Sequence, residues 1–353
     1  MTDATGTPAR EQLRIAALFV SDWDHEFAAV AAGDVPSHRL FGMRELERRG
    51  HTVLHHTRPA QARLAGRVGW RLSQLLWLVQ VQRDVDVVIA THEAAALPAL
   101  LLRRLGVVRR PVIAMTVAAL EATSRPGLAG ALQRTALRGA DAITVFSSSQ
   151  REDLARRLRR PVQDLRAVPL GVDTEFFTPR PGARGGGLLS VGTNAGKDYP
   201  TLMEALRPGE RCVVVTDAWN QAQATPLAEG LDVSFRSDVP IAELRELYAD
   251  ADVMALPLRE AEMSSGQTVL LENLAMGTPV VISDVSGVAD YIDPQVTNVV
   301  QAGQPLLLRQ ALLDTSWHDR ARGGPALVAR RFTVEHLASA VESIADELVS
   351  AGA

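Results

Sequence analysis

Lys197 is the single lysine in a chain that carries 36 arginines. A bias this strong leaves a lysine either by chance or where a guanidinium would not serve. A compact ammonium on a flexible stem suits a point-charge contact to phosphate inside a tight turn. Lys197 closes the turn GTNAGK (Gly192 to Lys197), directly after the apolar run LLSV. A second stretch, PLREAEMSSGQTVLLENLAMG (Pro257 to Gly277), runs from a strand end through a loop into a helix. Ser264 or Ser265 can cap that helix, and Gly266 lets the backbone approach a ligand closely. The free N–H groups of a first helical turn and the positive end of its dipole form an anion site. Ser265, Gly266, Gln267 and Thr268 are thereby placed to hold a diphosphate, with Ser264 just before them. Glu272, farther along the helix, can accept two hydrogen bonds from a ribose diol. Each feature also has a plain alternative: a strand–loop–helix with a serine cap, and a solvent-facing helical glutamate.

Other candidates carry less. His92 follows the apolar run DVVIAT at a strand end that would face a cleft, or is simply a loop histidine. His25 sits in SDWDHEF among Asp22, Asp24 and Glu26, where it could take a proton from a polar acceptor or merely be solvated. His55 and His56 read as polar strand ends. No set of His, Cys, Asp and Glu has convincing metal-ligand spacing. The spacing G-x-x-x-x-G-K-[ST] is absent, so GTNAGK is not a Walker loop. GARGGG precedes a strand rather than following one and reads as linker, not as a dinucleotide fingerprint. Cys212, the only cysteine, lies in the run CVVV and reads as a small buried hydrophobe.

These residues need elements to position them. The chain has 353 residues, about twice the usual length of one domain, which argues for two. Apolar runs alternate with amphipathic segments throughout: LRIAALFV, HTVLHH, DVDVVIAT, PVIAMTVA and DAITVFS in the first half, then GLLSVG, CVVVTD, DVMALPL, PVVISDV and TNVVQAG. Ser148 or Ser149 can cap the helix SQREDLARRLRR. Strands alternating with helices imply parallel sheets covered on both faces. VPLGVDTEFFTPRPGARGGG (168–187), rich in Pro and Gly, marks a boundary. The expected fold is α/β, with two Rossmann-like doubly wound domains and ligands at the carboxyl ends of the strands, between them. The expected parts are a disordered tail (1–12), a first domain (13–170), a linker (171–187), a second domain (188–330) and a closing helical segment (331–353).

Charge is unevenly placed: residues 1–170 carry a net +8 and the remainder −12. Mutual attraction across a cleft explains this, as does a basic first domain that meets an acidic acceptor or a membrane surface. The arginines lack interleaved aromatics, so nucleic acid is not an expected partner. No apolar stretch approaches the roughly 20 residues needed to span a bilayer, and the polar start MTDATGTPAREQ lacks a secretory core. The expected location is the cytoplasm, as monomer or homodimer.

Five segments, in order, resemble the family 4 glycosyltransferases of the GT-B superfamily: ADAITVFSSSQREDL, VPLGVDTEFFTP, LLSVGTNAGKDYPTLMEAL, LYADADVMALPL and GQTVLLENLAMGTPVVISDVSGVADYI. AAGDVPSHRLFGMRELERRGHTV resembles, more weakly, the family's glycine-rich loop and first helix. The resemblance implies a GT-B fold and a nucleoside-diphosphate sugar as donor. It implies transfer with retention, and no obligatory metal or other cofactor. Lys197 matches the phosphate-binding lysine, and Glu272 the glutamate that holds the ribose. Gly33 and Asp34 match the loop near the diphosphate and acceptor. Gly192, Thr193, Asn194 and Asp217 are further donor-binding candidates, and Arg236 and Val239 belong to RSDVP, which matches the loop beside the base. The closing helix is expected to cross back onto the first domain.

The chain also departs from the family pattern. Ser264 stands where a glutamate that contacts the transferred sugar is usual, with Glu260 and Glu262 close but out of register. Thr193 stands where an arginine is usual, and PVIAMTVA lacks the histidine often found at its end. The expected activity is transfer of a sugar to a small-molecule or glycan acceptor held by the first domain, with Lys197, His92, Glu262 and His25 as catalytic candidates. The alternatives are a nucleotide-sugar epimerase of the same fold and a non-catalytic nucleotide-sugar-binding protein.

Overall fold

Runs of Val, Ile, Ala and Leu four or five residues long, buried end to end, fit only a sheet covered on both faces. The computed structural model describes residues 12–57, 66–180, 184–263 and 265–352, and in it these runs build two six-stranded parallel sheets. The tail expected at 1–12 thus falls almost wholly outside the described residues, as does part of GARGGG.

The first sheet contains β1 (Arg14–Leu18), β2 (Thr52–His55), β3 (Val87–Ala90), β4 (Val112–Thr116), β5 (Ala142–Val145) and β6 (Leu165–Ala167), in the order β2-β1-β3-β4-β5-β6. Its helices are α1 (Asp24–Ala32), α2 (Met43–Arg48), α3 (Gly66–Val81), α4 (Glu93–Arg104), α5 (Ala119–Ser124), α6 (Gly127–Leu137) and α7 (Ser149–Leu158). The second half begins with β7 (Leu188–Val191), α8 (Tyr199–Ala205), β8 (Cys212–Val215), α9 (Ala218–Ala224) and β9 (Val233–Arg236). It continues with α10 (Ile241–Asp250), β10 (Val253–Leu256), α11 (Gln267–Ala275), β11 (Val280–Asp284) and β12 (Asn298–Gln301). Helices α12 (Pro305–Leu313), α13 (His318–Ala321), α14 (Gly324–Arg331) and α15 (Val334–Gly352) close the chain. The second sheet runs β12-β11-β10-β7-β8-β9. Both halves are therefore Rossmann-like.

In the second sheet the strand order reverses between β7 and β10, which pair directly through Val253–Leu188 and Met254–Leu189. Open parallel sheets bind ligands outside such a switch point. GTNAGK leaves β7 and the SSGQT turn follows β10, so the topology brings the two together.

Each sheet is packed on both faces by separate apolar clusters. Cys212 is fully buried in β8, and burial pushes its thiol up to about 12. Helix α15 lies on the first sheet, with Leu337, Ala338 and Val341 buried against Leu13, Ile15 and Met43. Its Glu342 accepts from Arg49 at 2.6 Å and meets His51 Nε2 at 3.0 Å, while His51 Nδ1 accepts from the Leu13 N–H. Two connections join the halves, and they run side by side. The Val172 N–H donates to the Phe332 carbonyl at 2.8 Å, and Val334 donates back to Val172 at 3.1 Å.

Among the described residues no helix is long and apolar enough to cross a membrane.

Candidate functional site

The turn after β7 is shaped around Lys197. Gly192 has φ +152, and a Cβ there would stand 1.8 Å from Lys197 Cε. The lysine stem therefore lies across the bare glycine, which no other residue permits. The Gly192 carbonyl accepts from Tyr199 Oη and Thr216 Oγ1, both at 2.7 Å, which fixes the turn. Lys197 also forms an antiparallel bridge with Leu258, so the turn is stitched to the segment leaving β10. Lys197 is buried at 3% exposure and has no carboxylate partner among the described residues. Burial pulls its ammonium down from 10.5 to about 8. An unpaired buried cation is costly, and it becomes favourable only when an anion arrives.

Opposite stands the start of α11. Gly266 precedes it at φ +91, and a Cβ there would press on Leu258 Cδ1 at 2.9 Å. The first N–H group that finds a helical partner is that of Leu270, bonded to Gly266 O at 2.9 Å. Those of Gln267, Thr268 and Val269 therefore stay available at the positive end of the dipole. Asn194 Oδ1 joins the two walls, accepting from Ser265 Oγ at 2.7 Å and from the Gly196 N–H at 3.1 Å. The Gln267 side chain donates to the Gly287 carbonyl at 2.9 Å and so props the helix start.

Glu272 shares the cleft face of α11 with Thr268, one turn apart. It is buried at 4%, with Oε2 accepting from Tyr248 Oη at 2.9 Å. Its Oε1 lies 3.4 Å from Nε2 of His38, which comes from the first half of the chain. His38 Nδ1 accepts from the Asp173 N–H at 3.1 Å, so in the neutral ring the proton sits on Nε2 and faces Glu272. Burial, then the nearby Glu272 charge, pushes the Tyr248 hydroxyl well above its usual range, so it stays a donor.

Lys197, Gly192, Thr193, Asn194, Ser265, Gly266, Gln267, Thr268 and Glu272 all line one cleft of about 490 Å³. The first half contributes Trp23, Pro36, His38, Arg39, Phe41, Val117 and Phe146. His38, Arg39, Trp23 and Tyr248 were not singled out from the sequence. The signal nearest to them was AAGDVPSHRLFG, in which Gly33 and Asp34 drew attention instead. Gly33 and Asp34 are exposed and lie off the cleft lining, because Gly33 ends α1 in a left-handed turn and the chain reaches the cleft only at Pro36.

Several other candidates are engaged away from the cleft. His92 caps α4, its Nδ1 accepting from the Ala94 N–H at 3.1 Å. His25 is an exposed residue of α1. Glu262 accepts from Arg157 at 2.5 Å and from Ser124 at 2.7 Å, both in the first half, and the arginine above all holds its carboxyl below the usual range. Glu260 accepts from the Ser286 N–H at 2.9 Å. Asp217 caps α9 through the Asn220 N–H, Arg236 pairs with Glu243, and Val239 packs on the core. Ser264 lies outside the described residues. Ser148 caps nothing with its side chain; its Oγ donates to Asp290 at 2.6 Å, tying α7 to the second half. Among the described residues no group of three or more His, Cys, Asp or Glu side chains could hold a metal ion.

The sequence matches the family described as Glycosyltransferase Family 4 over residues 23–176 and the one described as Glycosyl transferases group 1 over residues 197–315. No curated protein matches it. The fold is similar to sucrose-phosphate synthase from Thermosynechococcus elongatus, with TM-score 0.71 and 16% identity over 96% of this chain and 100% of that one. It is also similar to HepE of Anabaena in complex with UDP-glucose, with TM-score 0.67 and 18% identity over 96% and 100% of the two chains. A third likeness is to the catalytic domain of Starch Synthase IV from Arabidopsis thaliana bound to ADP and acarbose, with TM-score 0.68, 12% identity and coverage of 96% and 100%. At these identities the likeness speaks for the fold.

Proposed function

The chain belongs to the family 4-like glycosyltransferases of the GT-B superfamily, and on that premise we propose that it draws its sugar from a nucleoside diphosphate held by Lys197, α11 and Glu272. The observation that carries this reading is the buried, unpaired Lys197 facing the open start of α11 across one cleft. A site that holds a cation at such cost is complete only with a polyanion in place. The diphosphate sits between the ammonium and the N–H groups of Gln267 and Thr268. The ribose hydroxyls lie on Glu272, which Tyr248 and His38 already orient.

Cleavage of the bond between the sugar and the diphosphate builds negative charge on the leaving oxygen. Lys197 and the helix start stabilise that charge where a metal ion would otherwise be needed. Removing one such donor typically costs about 10²–10³ in rate. The described cleft residues that titrate are His38, Arg39, Lys197 and Glu272. Arg39 is paired with Glu26, while His38 and Glu272 face each other. None of them stands as a free base on the acceptor side, which favours attack on the same face as the departing phosphate and retention of configuration. Closure of the two halves would exclude water during transfer. HepE and the starch synthase domain were solved with UDP-glucose and ADP, so UDP and ADP are the first nucleotides to try.

Calorimetry with nucleoside diphosphates and an assay of donor hydrolysis test the proposal. Tight binding that is lost in Lys197→Ala supports it; full affinity in that variant removes the assignment.

A further inference from the structure

The half of the cleft that faces the donor site is almost without charge. Trp23, Phe41, Val117, Phe146 and Leu170 form most of it, beside His38 and Arg39, with Met263 across from them on the loop before α11. The chain is poor in aromatics, with 5 Trp, 8 Phe and 3 Tyr, yet three rings meet here. The Trp23 and Phe41 centroids are 6.4 Å apart, and those of Phe41 and Phe146 are 6.2 Å apart. Trp23 is braced from behind by Phe19, stacked at 4.8 Å, and its indole N–H is already spent on Ser21 Oγ. Phe41 holds this position with a left-handed backbone, φ 52 and ψ 40, a conformation that a bulky residue rarely adopts. A strained aromatic kept at a cleft wall points to use of its ring.

The same wall lacks what a sugar or an anionic acceptor would need. A sugar site needs several convergent polar side chains, since a buried hydroxyl without a partner is expensive. Arg39, the one cation on this side, is bound to Glu26. Glu260 and Glu262 are turned away onto Ser286 and Arg157.

Resting on the donor reading above, we propose that the acceptor is a planar, apolar aromatic compound bearing an acidic hydroxyl, stacked on Trp23 and Phe41, with Phe146 buried behind them. In the transfer the acceptor oxygen forms a bond to the anomeric carbon as the bond from that carbon to the diphosphate oxygen breaks. The acceptor proton passes to the departing phosphate oxygen, so nucleoside diphosphate and glycoside are the products. With no base on this wall, a phenol, ionising near pH ~10 as tyrosine does, needs less help than an alcohol.

The test uses the full-length protein and calorimetry with 7-hydroxycoumarin, with and without saturating UDP, together with transfer from UDP-glucose. Glucose, decanol and a polyprenyl phosphate serve as competing acceptor classes. The UDP arm reads the donor site and the coumarin arm reads the aromatic wall, so either can fail without the other. The expected result is coumarin binding that Trp23→Leu weakens about tenfold and Trp23→Phe largely restores, with a much smaller shift in donor KM. No coumarin binding overturns the proposal, as does binding indifferent to Trp23→Leu and Phe41→Leu alike. So does a preference for glucose, decanol or the polyprenyl phosphate.

Discussion

His38 of the first half places its Nε2 3.4 Å from Oε1 of Glu272 in the second, while its Nδ1 is held by the Asp173 N–H of the connection between them. One imidazole thus ties Glu272, the proposed ribose contact, to the other half of the chain and to the linker. It packs against Phe177, with ring centroids 5.9 Å apart. The contact that joins the halves here therefore also orients Glu272.

Replacing His38 should therefore affect donor binding although His38 need not touch the donor. His38→Leu leaves Glu272 with Tyr248 alone, and the expected outcome is a rise in donor KM of about fivefold, less than the cost of a full hydrogen bond to a charged group because the two atoms stand 3.4 Å apart. His38→Gln, which keeps an N–H donor, should recover most of it. Steady-state kinetics of the two variants check this; equal KM values in both and in the parent protein would contradict it.

Lys197 makes a pH prediction whose sign is fixed. Its folded value of about 8 lies below the ordinary 10.5, so between the two the unfolded chain binds the proton more tightly. Stability then rises with pH across that window, and below it the full penalty of roughly 3 kcal/mol remains. Lys197→Met should raise the melting temperature at neutral pH while removing diphosphate binding. In the parent protein, binding a nucleoside diphosphate near pH ~9 should take up close to one proton. Calorimetry in buffers of different ionisation enthalpy measures that uptake; its absence would mean that the phosphates do not meet Lys197.

Gly192 has no room for a methyl group, since a Cβ would overlap Lys197 Cε at 1.8 Å. Gly192→Ala should swing the ammonium out of the cleft. The expected loss of donor affinity is about 100-fold or more, comparable with losing a buried charge contact to phosphate. Donor titration checks it against Gly185→Ala, at an exposed glycine with open space around its Cβ position and no left-handed backbone.

Glu262 and Arg157 join the two halves through partly exposed side chains, 46% and 31% accessible. Such pairs contribute about 0–1 kcal/mol and weaken with salt. Glu262→Gln should therefore lower kcat/KM no more than about fivefold, with the deficit shrinking at high salt. A loss of several hundredfold would instead place Glu262 on the transferred sugar.

Sheet and helix order were legible because most strands are continuous apolar runs, which parallel sheets buried on both faces require. The missed pieces are edges and short elements. β6 has one buried residue in three and β9 has none in four, so neither stands out from loop. In the cleft, the second wall was readable because Lys197, Gly266 and Glu272 belong to local strand–turn–helix geometry. The first wall was not. Trp23, His38 and Phe41 lie on the connection from β1 to β2 and Phe146 follows β5 at the far side of the same sheet, and only the fold brings them together. Glu262 misled for the converse reason: a carboxylate near the right register is drawn to Arg157, a partner 105 residues away in the chain.

The central claim is that Lys197, the start of α11 and Glu272 grip a nucleoside diphosphate. Calorimetric titration of UDP and ADP into the parent protein and into Lys197→Met tests it most directly. The expected result is binding of at least one nucleotide in the parent protein and a loss of about 100-fold or more in the variant. Equal affinity in both proteins would contradict it.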